Sequence, residues 1–380
     1  MTVQPIAEAE YAERVARLRA AMAEQGLGGV IAYGAHRDYH PADLRYLARW
    51  YCVEEETAAL YVPADGPTTL LTDAAWDVER AGAEAYANEA RHTRDMGRDL
   101  AELIHSSDGR AGRVGIAGYG IFPAPSYLAL RGALEGVELV DASRLTAELR
   151  MVKSPAELDL LRAASAISDQ AMRAGLDAIR DGATETSVAA AAEAVIRAAG
   201  AEPSFVTEMG SGPRTALGTY LPGARRLRRG EYAVLDCGAR VEGYHGDMCR
   251  TIIVGGEPTA PQRRRLEAVE AAVCAAIAAI QPGVTVGEIR DVAAQTIADA
   301  GFGDEWWDAF MPHGNGAGQH EPPNAKEDPD LPLAAGMVLC IEPGVTIPDE
   351  GAVVIEQMIA VTPDGAEVLN RLRTDMWDGR

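Results

Sequence analysis

Four acids at the ends of apolar strands, and a histidine on a glycine-rich loop between them, are the residues of this chain best suited to chemistry. In Glu231–Gly255, EYAVLDCGARVEGYHGDMCRTIIVG, two β-branched apolar runs, Tyr232–Leu235 and Thr251–Val254, flank a polar turn containing Gly238, Gly243 and Gly246. Each arm carries one acid, Asp236 or Asp247. Taken alone, this stretch fits a solvated hairpin tip as well as a ligand-bearing one. A second pattern of the same kind follows: Met337–Ile341 leads into Glu342-Pro343-Gly344, and after a Pro348–Gly351 turn the run Ala352–Ile355 ends at Glu356. Between them lies PHGNGAGQHEPP, with His313 and His320 separated by small residues that let the backbone approach a ligand. An acid at the end of an apolar strand loses its water on folding, which is strongly unfavourable unless a cation or a set of donors compensates it. Two aspartates, two glutamates and one histidine form an oxygen-rich set suited to a pair of hard or borderline divalent ions such as manganese, cobalt or iron(II). Four carboxylates formally balance two such cations. A thiolate-rich zinc site is a different chemistry.

The elements that must position these residues can be read outward from them. The segments Gly182–Gly200 and Gly283–Gly301 align, Thr184 with Thr285 and Ile196 with Ile297, and each follows a long helix and precedes strands. A repeat of this kind predicts two halves related by a pseudo-twofold, with the acid-bearing hairpins facing each other. Upstream, Ser154-Pro155-Ala156-Glu157 is a capping box with proline at the first helical position. We place a domain boundary there, giving domains 1–150 and 151–380. Before it, helical runs at Ala7–Gln25, Met96–His105 and Ala124–Leu134 alternate with strand-like runs at Val30–Tyr33, Ala58–Val62, Thr68–Leu71 and Arg113–Gly118, which predicts a small α/β domain.

Composition narrows the function. A chain of 380 residues exceeds one ordinary core and suits a small and a larger domain. Its net charge of -22 repels nucleic acid and anionic membrane surfaces, so neither is an expected partner. The start, MTVQPIAEAEYAERV, has acids where a signal peptide needs a basic stretch and then an apolar one, and the Ala271–Ile280 run is too short to span a bilayer. Cys52, Cys237, Cys249, Cys274 and Cys340 form no CxxC pair and read as reduced thiols. A cytoplasmic enzyme is the expectation.

With these residues in view, the chain resembles the metallopeptidase family M24, the creatinase, Xaa-Pro peptidase and methionine aminopeptidase group. The resemblance rests on KSPAELDLLR at Lys153–Arg162, the GYHGDMCRT hairpin, the HGxGxGxHEPP run from His313 and the GMVLCIEPG segment, and it covers nearly the whole chain. It implies a pita-bread catalytic domain preceded by a creatinase-type α/β amino-terminal domain. Carried over position by position, it implies that Asp236 chelates one metal, Asp247 and Glu356 bridge both, and His313 and Glu342 hold the other. It further implies a water activated by the ions as nucleophile, Glu342 as its proton acceptor, and His320 as a contact to the substrate or the developing oxyanion. Two divalent ions are thereby expected, manganese first, with cobalt, iron or zinc as alternatives. Two departures stand out. The family's usual histidine before the first metal hairpin falls where this chain has Gly218-Thr219-Tyr220, and Val354 stands where an arginine usually precedes the last glutamate.

Several further residues bear on substrate and environment. Arg214, in GSGPRTALGTY, is placed to clamp a substrate carboxylate or to be a solvated loop arginine; Thr219 and Tyr220 follow it on the same loop. His36 and Trp50 lie on loops of the small domain, which in creatinase-like dimers can reach a partner's active site. Trp307, after Trp306, is read as a pocket wall. His245 alternates away from Asp247 and is read as a supporting or surface group. Cys249 and Cys340 share strand faces with Asp247 and Glu342 and are read as small residues packed behind the ions. The basic run Arg225–Arg229 is read as a solvated turn or salt-bridge patch.

The expectation is thus a homodimeric, dinuclear metal-dependent hydrolase that cleaves an amide bond of a dipeptide or other small substrate, in the manner of an Xaa-Pro dipeptidase or aminopeptidase. The alternative is a C–N hydrolase or lyase of a small non-peptide substrate, creatinase-like or ectoine-hydrolase-like, on the same metal site. A binding protein that kept the fold and lost turnover is a third reading.

Overall fold

The structure is a computed structural model that describes residues 4–35, 42–53, 56–107, 112–307 and 312–377. The chain divides into two compact units, Pro5–Arg150 and Met151–Arg380. In the first, six strands form one sheet: β1 (Gly29–Ala35), β2 (Thr57–Pro63), β3 (Thr69–Thr72), β4 (Glu89–His92), β5 (Arg113–Ala117) and β6 (Glu138–Asp141), in the order β4-β3-β2-β1-β5-β6. The pairings β1–β2 and β2–β3 are antiparallel and the rest parallel. Strict alternation along β1 and β2 fills two cores: Val30, Ala32, Ala58, Leu60 and Val62 face one side, and Ile31, Tyr33, Ala59 and Tyr61 the other. Helices α1 (Glu8–Gln25), α2 (Ala42–Ala48), α3 (Val78–Glu84), α4 (Met96–Ser106), α5 (Ala124–Ala133) and α6 (Ser143–Met151) complete the unit.

Trp50 corrects one expectation. It does not stand on an exposed loop: it is only 1% exposed, belongs to the core beside β1 and β2, and its ring lies 3.9 Å from the Arg80 guanidinium carbon. So large an aromatic surface gains more from burial under a cation than from solvent contact.

The second unit is built twice over. Helix α7 (Pro155–Ala178) starts at the Ser154/Glu157 capping box, and α8 (Glu185–Ala198) packs on it. Helix α9 (Ala260–Ala279) pairs with α10 (Val286–Asp299) in the same way. The repeat extends to individual hydrogen bonds. Thr184 and Thr285 cap α8 and α10, the Gly182 N–H donates to the Leu227 carbonyl at 2.9 Å, and the Gly283 N–H donates to the Leu333 carbonyl at 2.8 Å. Gly200 and Gly301 follow the helices at φ 78 and φ 87, the left-handed region where a Cβ would be strained.

The strands repeat too. In the first half they are β7 (Glu202–Pro203), β8 (Glu208–Ser211), β9 (Tyr232–Asp236), β10 (Ala239–Val241), β11 (Tyr244–His245) and β12 (Cys249–Ile253). The second half has β13 (Trp306–Trp307), β14 (His313–Gly314), β15 (Glu321–Asn324), β16 (Val338–Ile341), β17 (Gly344–Ile347), β18 (Gly351–Val354), β19 (Gln357–Thr362) and β20 (Gly365–Val368). A long ladder, β9–β12 or β16–β19, is interrupted in each half by a small excursion hairpin, β10–β11 or β17–β18. The partner of β16 is therefore Gln357–Thr362 rather than Ala352–Ile355. The latter run is continuously apolar, as a buried strand is, but belongs mostly to the excursion. Each half has its own core between helix pair and ladder, around Leu176, Val188 and Leu235 in one and Val273, Ile289 and Leu339 in the other.

Candidate metal centre

The acid pairs occupy equivalent places: each flanks the point where a ladder gives way to its excursion. Asp236 is the last residue of β9, with Cys249 as its cross-strand partner, and Asp247 stands just before β12. Glu342 follows β16 and Glu356 precedes β19, next to the pair Ile341–Gln357. Close backbone packing makes the first crossing possible. A Cβ on Gly238 would lie 1.8 Å from the Gly246 carbonyl oxygen, so only glycine allows Asp236 and Asp247 to be carried on segments this close.

His313 enters from β14, cross-strand from Cys340, and is fully buried. Its Nδ1 lies 3.0 Å from the Gly314 carbonyl, which as an acceptor fixes the proton on that nitrogen. Nε2 is thereby left with its lone pair, 3.3 Å from Glu342 Oε1. Asp247 accepts a hydrogen bond from Gln319 Nε2 at 3.2 Å. One ligand atom from each of Asp247, His313, Cys340 and Glu356 falls within 4.8 Å of every other.

The electrostatics are those of a site built for cations. Burial, then the charges of Asp247, Glu208 and Glu342, pushes Asp236 well above the usual carboxylate range. Burial also raises Glu356, with Asp247 and Asp236 adding to it, and lifts Asp247 to about 7. For His313, burial opposes protonation, but the Glu342 and Asp247 carboxylates outweigh it and the pKa rises. Asp236 Oδ1 and Glu356 Oε2 are buried without a hydrogen-bond partner among the described residues. Orphaned carboxylate oxygens, a committed histidine tautomer and converging ligand atoms fit a divalent metal centre.

Residues outside the acid pattern hold this arrangement. Arg250 is 1% exposed and spends its guanidinium on carbonyls: Cys249 at 2.8 Å, Glu356 at 2.6 Å, Leu372 at 2.7 Å and Arg373 at 3.0 Å, besides Gln357 Oε1 at 3.1 Å. It locks the backbone of Glu356 to that of β12. Lys153, within the KSPAE stretch, donates to Glu321 at 2.9 Å in a fully buried pair beneath the His320 loop. Ser204 Oγ meets His245 Nδ1 at 2.9 Å, so His245 is a buried supporting group, kept neutral by burial and by Arg240. Cys340 lies among the ligand atoms rather than behind them, and Asn315 Nδ2 donates to its sulfur at 3.5 Å. Gln319 could have been suspected from its place in the glycine-rich loop; Arg250 carried no signal beyond adjacency to Cys249.

Beside the acids a small cavity of about 30 Å³ is walled by Glu208, Tyr220, Asp236, Cys249, Trp307, Glu342, Ala352 and Val354, among others. Trp307 and Tyr220 therefore wall the cavity beside the acids. The ring of Tyr220 covers Gly210, where a Cβ would come within 2.8 Å of it. Thr219 is exposed on the preceding turn. Arg214 is not free to clamp a substrate: it pairs with Glu185 and donates to the Leu221 carbonyl at 2.9 Å, which ties the loop together. The exposed His320 presents its ring edge-on to His313 at 4.3 Å. His36 lies outside the described residues.

Comparison with known proteins settles the family. The profile of metallopeptidase family M24 matches residues 159–363, and that of the creatinase/prolidase N-terminal domain matches 14–152. This chain belongs to metallopeptidase family M24. An Xaa-Pro dipeptidase of Pyrococcus horikoshii is 35% identical over 230 residues, 60% of this chain and 65% of that protein, so the match spans a little under two thirds of that relative. A probable dipeptidase PepE of Mycobacterium tuberculosis is 34% identical over 364 residues, covering 95% of this chain and 94% of the relative. The crystal structure of the prolidase from Pyrococcus horikoshii OT3 superposes with a TM-score of 0.84 at 26% identity, covering 96% of this chain and 99% of that one. A creatinase-type domain followed by an M24 pita-bread domain is therefore the architecture, as the motifs implied. These relatives are named as peptidases, which does not favour the non-peptide alternative. The family works with divalent metal ions, and the cluster around His313 is where this chain offers to hold them.

Proposed function

We propose that this chain is a metal-dependent dipeptidase of the Xaa-Pro type, with domain boundaries at 1–150 and 151–380. The observation that carries the reading is the convergence of Asp247, His313 and Glu356 ligand atoms within 4.8 Å, next to the orphaned oxygens of Asp236 and Glu356. Asp236 would hold one ion, Asp247 and Glu356 would be shared, and His313 with Glu342 would hold the other. When bound, the ions would polarise the scissile carbonyl and lower the pKa of a water to near neutrality.

The chain's own groups do the rest. Glu342 lines the cavity and is placed to accept the proton of the attacking water and pass it to the departing nitrogen. His320, exposed beside His313, donates to the carbonyl oxygen as charge develops on it. Tyr220 and Trp307 hold the substrate's apolar parts and exclude bulk water. Gln319 orients Asp247, and Arg250 fixes the backbone of Glu356.

Manganese is the ion best supported by the oxygen-rich donor set, with cobalt, iron or zinc next. A cytoplasmic location is supported by five free thiols, and a homodimer by the resemblance to creatinase-type enzymes. Among the described residues no helix is long and apolar enough to cross a membrane. The test is mass-spectrometric assay of manganese- and cobalt-loaded protein against a panel of Xaa-Pro and other dipeptides, beside small cyclic amides and amidines, with Glu342→Ala as the blank. Cleavage of Xaa-Pro substrates by the wild type and not by the variant supports the reading; turnover of a non-peptide alone overturns it.

A further inference from the structure

Glu208 is the acid at this centre to which the mechanism gives no task. It opens β8 directly opposite Asp236, lines the same cavity, is half-buried, and accepts the Tyr220 N–H at 3.3 Å. Among the described residues no lysine, arginine or histidine pairs with it, and none contributes to the cavity wall. Formal charge makes it surplus. Asp236, Asp247, Glu342 and Glu356 are balanced by two divalent cations, which leaves the Glu208 carboxylate without a counterion in a confined space. Apart from the ligand acids Asp236 and Glu342, the wall sets the polar Thr215 and Thr346 beside the aromatic and apolar side chains of Tyr220, Trp307, Ala352 and Val354. A carboxylate left without a counterion beside those aromatic and apolar groups complements a positive charge carried on an aliphatic stem.

We propose that Glu208 is a specificity-determining residue that binds the cationic side chain of a basic amino acid immediately before the scissile bond, so that Lys-Pro and Arg-Pro are preferred over neutral dipeptides. This deepens the dipeptidase reading and rests on it. Norleucine matches the lysine stem without its charge, which isolates the interaction from packing and from the α-ammonium that both residues share.

The test compares kcat/KM of the metal-loaded full chain for Lys-Pro, norleucyl-Pro and Glu-Pro, in the wild type and in Glu208→Gln. Calorimetry of L-lysine and L-norleucine binding to the same metal-loaded proteins gives a readout that does not depend on turnover. The expected result is a preference for Lys-Pro over norleucyl-Pro of about tenfold, tighter binding of lysine than of norleucine, and loss of both differences in Glu208→Gln. Should that variant fail to fold, the wild-type lysine and norleucine comparison still decides. No preference in the wild type, a preference retained in the variant, or an equal loss for lysyl and norleucyl substrates overturns the proposal, the last by assigning Glu208 to the shared α-ammonium. If no dipeptide is cleaved by the wild type, the dipeptidase reading fails instead, while the binding comparison still reports on Glu208.

Discussion

Nε2 of His313 lies 3.3 Å from Glu342 Oε1, while its Nδ1 is committed to the Gly314 carbonyl at 3.0 Å. In its neutral form the histidine is thus held in the tautomer that turns a lone pair toward the acids. A histidine so prepared is a ligand before any ion arrives. His313→Ala should lower metal affinity by at least ~10-fold, since loss even of a ligand's supporting partner typically costs 10–100-fold. Metal competition with a fluorescent chelator measures it; unchanged affinity would remove His313 from the coordination set.

The pH dependence of stability should differ between metal-free and metal-loaded protein. In the metal-free state burial raises Asp236 and Glu356 well above the carboxylate range and Asp247 to about 7. For an acid whose folded pKa is raised, the stabilising contribution is fully present below the unfolded pKa of about 4 and is lost as pH rises through the folded value. Metal competes with those protons, so the increase in Tm on adding manganese should grow steadily from about pH 5 to about pH 8. Thermal melts with and without chelator across that window check this. A metal-induced gain that shrinks with pH would mean that the buried carboxylates are not the groups being neutralised.

Arg250 should behave as a structural anchor with a functional consequence. Its guanidinium is buried deeply enough that its pKa falls to about 10, and it satisfies carbonyls on both sides of the Glu356 backbone. Arg250→Met leaves several buried acceptors unpaired, a loss of roughly 3 kcal/mol in chemical denaturation. Arg250→Lys, which has fewer donors and no planar fork, should recover only part of it. Full stability in both variants would contradict the anchoring role.

The Lys153–Glu321 pair offers a cycle. Lys153→Met strands a buried carboxylate beneath the His320 loop and should destabilise by about 3–5 kcal/mol. Adding Glu321→Gln should return much of that stability, because the uncompensated charge is gone. Additive losses in the two single variants and the double variant would show that the two groups are not coupled.

Much of this arrangement was legible in the chain before any coordinates. The acid-bearing runs of the catalytic unit were legible because Asp236, Asp247, Glu342 and Glu356 stand where no ordinary core tolerates an acid, and the helical repeat was visible because Thr184 and Thr285 cap equivalent turns. The central strands of the small domain were equally clear from their apolar runs. Edge strands were not: neither Glu89–His92, which is mostly exposed, nor Glu138–Asp141, with only Leu139 and Val140 apolar, is among the expected strands, because pairing through the backbone leaves little trace in side chains. The partner of Val338–Ile341 escapes sequence reading for a related reason, since Gly351–Val354 and Gln357–Thr362 are both largely apolar and only the tertiary fold distinguishes ladder from excursion. Long-range support such as Arg250 to Leu372, or Lys153 to Glu321, leaves no local pattern at all. Trp50 and Arg214 were candidates by residue type and lost that standing once their surroundings were known.

The central claim is that two divalent ions share one set of side chains. Anomalous diffraction from crystals of manganese-loaded protein, recorded on both sides of the metal edge, tests it most directly. The account predicts two adjacent peaks enclosed by Asp236, Asp247, His313, Glu342 and Glu356, both lost in His313→Ala/Asp247→Ala. A fully loaded crystal with no anomalous peak at these residues, or with its ions bound elsewhere, would contradict it.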